Sequence, residues 1–123
     1  MFAELYELAG SLGLEVLVEV ESIEDIRKLD GLDIEIIGVN NRNLHTFAQS
    51  IDNSFELYSA LPHNSLKITE SGLSEAKQLT RLYAEGYRGF LIGEALMKSE
   101  NPGETLKMLI NEFNDTLNEK NTC

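Results

Sequence analysis

Four short apolar runs in this 123-residue chain each stop at residues able to do chemistry. The stops are Glu19; Asn40, Asn41 and Arg42; Glu70, Ser71 and Gly72; and Gly93 with Glu94. Glu19 stands inside Leu17–Val20, LVEV, where an unpaired carboxylate is costly to bury. It reads either as an edge-strand glutamate in water or as an acid–base group whose pKa is raised by apolar surroundings. Two carboxamides and a guanidinium orient hydroxyls and pair with carboxylates. The same triplet also suits a plain turn, because Asn tolerates left-handed backbone. Gly72 and Gly93 let backbone N–H groups approach an anion, with Ser71 alongside and the positive end of a short helix after Gly93. Glu94 must then turn its side chain away from that anion while its N–H donates. Lys67, within the third run, is a candidate catalytic cation or a side chain that snorkels outward.

A helical pattern follows every one of these stops. Strands alternating with helices imply a parallel sheet, whose ligands gather at the carboxyl ends of the strands. Leu5, Leu8 and Leu12 recur at helical spacing before the first strand, Glu15–Val20, in which Val16, Val18 and Val20 share one face and Leu17 and Glu19 the other. Ser22 caps a short helix, and the second strand is Ile34–Val39. A long loop leads to a helix over about Ser54–Leu61, stopped by Pro62. The third strand is Leu66–Thr69, followed by a helix capped by Ser74 and ended by Gly86. The fourth, Gly89–Ile92, leads through a short turn to a last helix from Pro102 to about Phe113. The expectation is α/β: a leading helix and four parallel βα units over residues 1–113, with 114–123 a disordered polar tail. An open flavodoxin-like sheet is the structural alternative.

Twenty-one acidic residues against ten Lys plus Arg give a formal net charge of −11. Such a surface repels nucleic acid and anionic lipid, so neither is expected as a partner. The single Cys123 excludes an internal disulfide and suits a reducing cytoplasm. The N-terminus, MFAELYELAG, has neither a basic leader nor a long apolar stretch. His45 and His63 fall in loops away from carboxylates at ligand spacing, and no metal, Walker or dinucleotide motif is present.

At its strand ends the chain resembles indole-3-glycerol phosphate synthase. The matching segments are Leu17–Val20 (LVEV), Ile36–Leu44 (IIGVNNRNL), Ile68–Leu73 (ITESGL) and Phe90–Met97 (FLIGEALM), in order and over nearly all of residues 1–113. The resemblance implies half of a TIM (βα)8 barrel, strands five to eight. It implies that Glu19 is the general base of a late dehydration step, that Asn40 and Arg42 orient substrate, and that Glu70 is an active-site glutamate. Ser71, Gly72, Gly93 and Glu94 would form the phosphate cradle. The implied reaction closes the ring of 1-(2-carboxyphenylamino)-1-deoxyribulose 5-phosphate with loss of carbon dioxide and water, using no cofactor and no metal. The family's lysines on strands one and three precede Met1, so this chain alone is expected to be inactive. Four strands cut from a closed barrel would leave two open edges and an apolar layer containing Leu17, Ile36 and Ile68. The expected cover is the N-terminal half-barrel or a second copy, unless the leading helix folds back over the layer. A non-catalytic, self-associating phosphate-binding module is the alternative function.

Overall fold

The computed structural model describes residues 1–43 and 45–121. Leu44, the last residue of the second matching segment, and Cys123 lie outside them. Helix α1 (Phe2–Ser11) precedes β1 (Leu17–Val20), α2 (Ile23–Arg27), β2 (Ile36–Asn40) and α3 (Asp52–Leu57), which continues as a 3-10 turn over Tyr58–Ala60. Then come β3 (Leu66–Glu70), α4 (Ala76–Glu85), β4 (Gly89–Leu91), α5 (Glu94–Met97) and α6 (Pro102–Asn121).

The four strands form one sheet in chain order, β1-β2-β3-β4, and every pairing is parallel. A flavodoxin-like sheet would reverse direction partway, so the open alternative falls and the half-barrel order stands. Leu17 pairs with Ile36 and Ile36 with Leu66; Glu19 aligns with Gly38, Ile68 and Gly89; Asn40 aligns with Glu70 and Leu91. Because residues level across a sheet point the same way, these three rows share one face. On the other face Val18, Val20, Ile37 and Val39 are buried against Ile26, Leu29, Leu57, Leu79 and Leu82 of the helical layer.

The apolar part of the first face lies open among the described residues. Leu17, Leu66 and Leu91 on it are 39%, 48% and 47% exposed. The leading helix does not close it. No residue of α1 is buried; its Tyr6 hydroxyl donates to the Asp33 carbonyl (3.0 Å) and accepts from the Glu35 N–H, just before β2.

Several boundaries differ from expectation. Helix α6 runs unbroken to Asn121, past the end expected near Phe113. Its apolar side is held by buried Leu109 and by Phe113, whose ring meets Tyr83 and Phe90 edge-on at 5.8 Å each. With no glycine or proline after 113, nothing stops the helix. The N-cap of α4 is Glu75 rather than Ser74, because Gln78 Oε1 folds back to accept from the N–H groups of both. Lys67 neither reaches solvent nor faces the strand-end rim. It is buried on the helical side, donating to the carbonyls of His63 and Ser65, and desolvation lowers its pKa. No helix among the described residues is long and apolar enough to cross a membrane.

Candidate active site

The rim at the carboxyl ends of the strands is built from alternating inward and outward residues. In the triplet after β2, Asn41 turns inward. Its Nδ2 donates to Thr69 Oγ1 (3.0 Å), and its Oδ1 accepts from the buried Ser54 hydroxyl (2.7 Å). That network anchors the loop so that Asn40 and Arg42, either side, are presented to the open face. Asn40 is fixed at both ends of its carboxamide. Its Oδ1 accepts from the Arg42 N–H (2.9 Å) and its Nδ2 donates to Glu19 Oε1 (2.8 Å). Asn53 Nδ2 ties the same corner together, donating to the carbonyls of Glu21 and Asn40.

Glu19 lies on the edge strand and is exposed. The burial expected for it falls on Glu70 instead, which is 7% exposed. Glu70 leans sideways over Gly38, where a Cβ would overlap Oε2 of its carboxyl, and so reaches Glu19. Two ionised carboxylates only accept hydrogen bonds, so contact between them needs a proton. Glu70 Oε2 is buried with no donor directed at it among the described residues. Burial first, then the hydrogen bond and charge of Glu19, push the Glu70 carboxyl up to about 8. The Glu70 carboxyl therefore favours its protonated form, while Glu19 is exposed and accepts from Asn40.

Beside this pair lies a cavity of about 680 Å³, lined by Arg42, Gln49, Glu70, Ser71, Gly72, Gly93, Glu94 and Lys98 among others. Ser71 and Gly72 both have φ of 73°. For Ser71, a non-glycine residue, this is a sparsely populated conformation, held where β3 gives way to the loop. The site brings together eight of the residues singled out in the sequence, Glu19, Asn40 and Glu70 side by side and Arg42, Ser71, Gly72, Gly93 and Glu94 around the cavity, while Asn41 turns to the core and Lys67 to the helical side. Glu94 does not turn away as expected. Its carboxylate bridges Arg42 Nη2 (2.8 Å) and Lys98 Nζ (2.7 Å). Lys98 first, then Gln49 and Arg42, hold it below the usual carboxylate range. Gly38, Gln49 and Lys98 were missed. Lys98 sits beyond any strand end, where only the turn of α5 brings it back, and Gln49 returns through the bridge that pairs it with Arg42. Among the described residues, no three His, Cys, Asp or Glu side chains are grouped to hold a metal ion.

A parallel four-stranded half-barrel with a carboxyl pair and a glycine-loop cavity on one rim is the class this fold and site define. The family model of indole-3-glycerol phosphate synthase matches residues 1–109, and the chain belongs to that family. It is 48% identical over 104 residues to the indole-3-glycerol phosphate synthase of Bacteroides thetaiotaomicron and 47% identical over 107 residues to that of Salinibacter ruber. The matches take in 85% and 87% of this chain but 40% of each relative, so the chain spans well under half their length. Among solved structures, the Amycolatopsis orientalis BexX/CysO complex (TM-score 0.66, 18% identity, 94% of this chain and 48% of that one) and a mandelate oxidase with benzoyl-formic acid (0.63, 19%, 85% and 34%) share the fold.

Proposed function

We propose that these 123 residues form the C-terminal half of an indole-3-glycerol phosphate synthase active site. The observation that carries this reading is the Glu19–Asn40–Glu70 cluster beside the cavity of Ser71, Gly72 and Gly93 on the rim of a chain from that family. In this reading the phosphate of 1-(2-carboxyphenylamino)-1-deoxyribulose 5-phosphate lies against the backbone of the two loops. Arg42 pairs with a substrate anion, Asn40 orients a hydroxyl, and the two glutamates move protons during dehydration. The residues before Met1 in the relatives would supply the cations that polarise the carbonyl during ring closure. A missing general acid removes a factor of roughly 10²–10⁴, so the isolated chain is expected to give no measurable turnover. The test is indole-3-glycerol phosphate formation, followed by fluorescence. The chain alone should be silent, and mixing it with the separately expressed first half of the Bacteroides thetaiotaomicron relative should restore activity. A Glu70→Gln mixture should not recover it. Steady turnover by the chain alone overturns the half-site reading.

The uncovered sheet face favours a second reading, a self-associating module that binds phosphate and catalyses nothing. It predicts phosphate binding by a stable oligomer that a first half-barrel neither joins nor activates.

A further inference from the structure

The cavity on the rim holds one arrangement that the acid–base chemistry leaves unused. Glu94 Oε2 accepts from Arg42 Nη2 at 2.8 Å and Glu94 Oε1 from Lys98 Nζ at 2.7 Å, so one carboxylate engages two cations that line the same cavity. Arg42 is only partly used, because its buried Nε has no acceptor among the described residues. The loop carrying Arg42 is pinned through the Asn40 carboxamide and the buried Asn41, so the guanidinium starts from a fixed base. The side chains of Glu94 and Lys98 are 53% and 74% exposed. An ion pair so open to water is weak and opens readily.

We propose that Glu94 is a resident counter-ion of the phosphate site: its carboxylate occupies Arg42 and Lys98 until a phosphate dianion takes both cations from it. The inference rests on reading this rim as a phosphate site and adds Lys98 and Glu94 as its selectivity device. A tethered carboxylate competes at a high effective concentration. A free monoanion offers the two cations no more than Glu94 already does, and loses. A dianion with three acceptor oxygens can satisfy Arg42, Lys98 and the loop N–H groups together, and wins. Selectivity for phosphate over carboxylate ligands thus comes from a built-in competitor, and the exposure of the bridge keeps displacement easy.

The experiment titrates the isotopically labelled 123-residue chain with inorganic phosphate and, separately, with acetate, following the N–H resonances of Ser71, Gly72 and Gly93. Circular dichroism checks that Glu94→Gln and Lys98→Met keep the fold. The native chain should bind phosphate and show no response to acetate. Glu94→Gln should tighten phosphate binding by roughly two- to fivefold for each ion pair released and bring acetate into the measurable range. Lys98→Met should weaken phosphate binding by a similar factor. Unchanged or weaker phosphate binding in Glu94→Gln, or unchanged binding in Lys98→Met, with the loop resonances still moving, overturns the counter-ion role and leaves the phosphate site standing. Loop resonances that phosphate moves in none of the three proteins overturn the phosphate reading itself, and the counter-ion with it.

Discussion

At the scale of single residues, Gly38 decides what the two glutamates can do. Its missing side chain is the space through which Glu70 reaches Glu19. In Gly38→Ala the new Cβ overlaps a carboxyl oxygen, and the flexible end of Glu70 must swing away. The expected result is a folded protein whose Glu70 titrates nearer the ordinary carboxylate range, read from side-chain carboxyl resonances. The native pair also makes stability depend on pH. A carboxyl raised from 4.5 to about 8 binds its proton more tightly folded than unfolded. Its contribution is therefore complete below pH 4.5 and is lost as pH rises through about 8. Urea unfolding should show stability falling across that window, and Glu70→Gln should flatten the fall. Both glutamates were legible as types out of place at apolar strand ends. Which one is desolvated was not, because that depends on a glycine in the strand between them, brought there only by the register of the sheet.

At the scale of elements, the buried hydroxyls under the rim do the positioning. Ser54 on α3 is fully buried, and its hydroxyl meets both Asn41 and Thr69 at 2.7 Å. Tyr87 donates to the Ser54 carbonyl at 2.6 Å. Ser54→Ala leaves Asn41 Oδ1 without its donor, an expected loss of about 1–3 kcal/mol. Chemical denaturation measures it, and faster amide exchange at Asn40 and Arg42 should accompany it. Further along, Gly86 ends α4 at φ 136° with the Tyr58 ring against it. Gly86→Ala meets both an unfavourable backbone and an aromatic ring, and should cost ~2 kcal/mol or more. Strands and helices were legible from their periods and their stop residues. The strand ends shifted by a residue or two where pairing extends a strand past its apolar run, as at Asn40 and Glu70. Helix α6 was underestimated because residues 114–121 are polar, although with no glycine or proline among them nothing stops the helix.

At the scale of the whole molecule, one face of the sheet carries Leu17, Leu66 and Leu91 half-exposed, and β1 and β4 have free edges. Surfaces of this kind seek cover. Light scattering at micromolar concentration should find the chain associated, and Leu66→Glu, a change at an already exposed position, should return it to monomer without loss of helicity. The chain-order arrangement of the strands has a kinetic meaning as well. Each strand pairs with the next one along the chain, and the paired residues lie roughly 20–30 apart in sequence. No pairing needs the two ends of the chain to meet, so the loop-closure cost is divided among three short closures. The sheet can grow outward one βα unit at a time, from whichever neighbouring pair forms first. The middle ladder between β2 and β3 is the longest and is flanked on both sides. In native-state hydrogen exchange its amides should be the last to open and those of β1 and β4 the first.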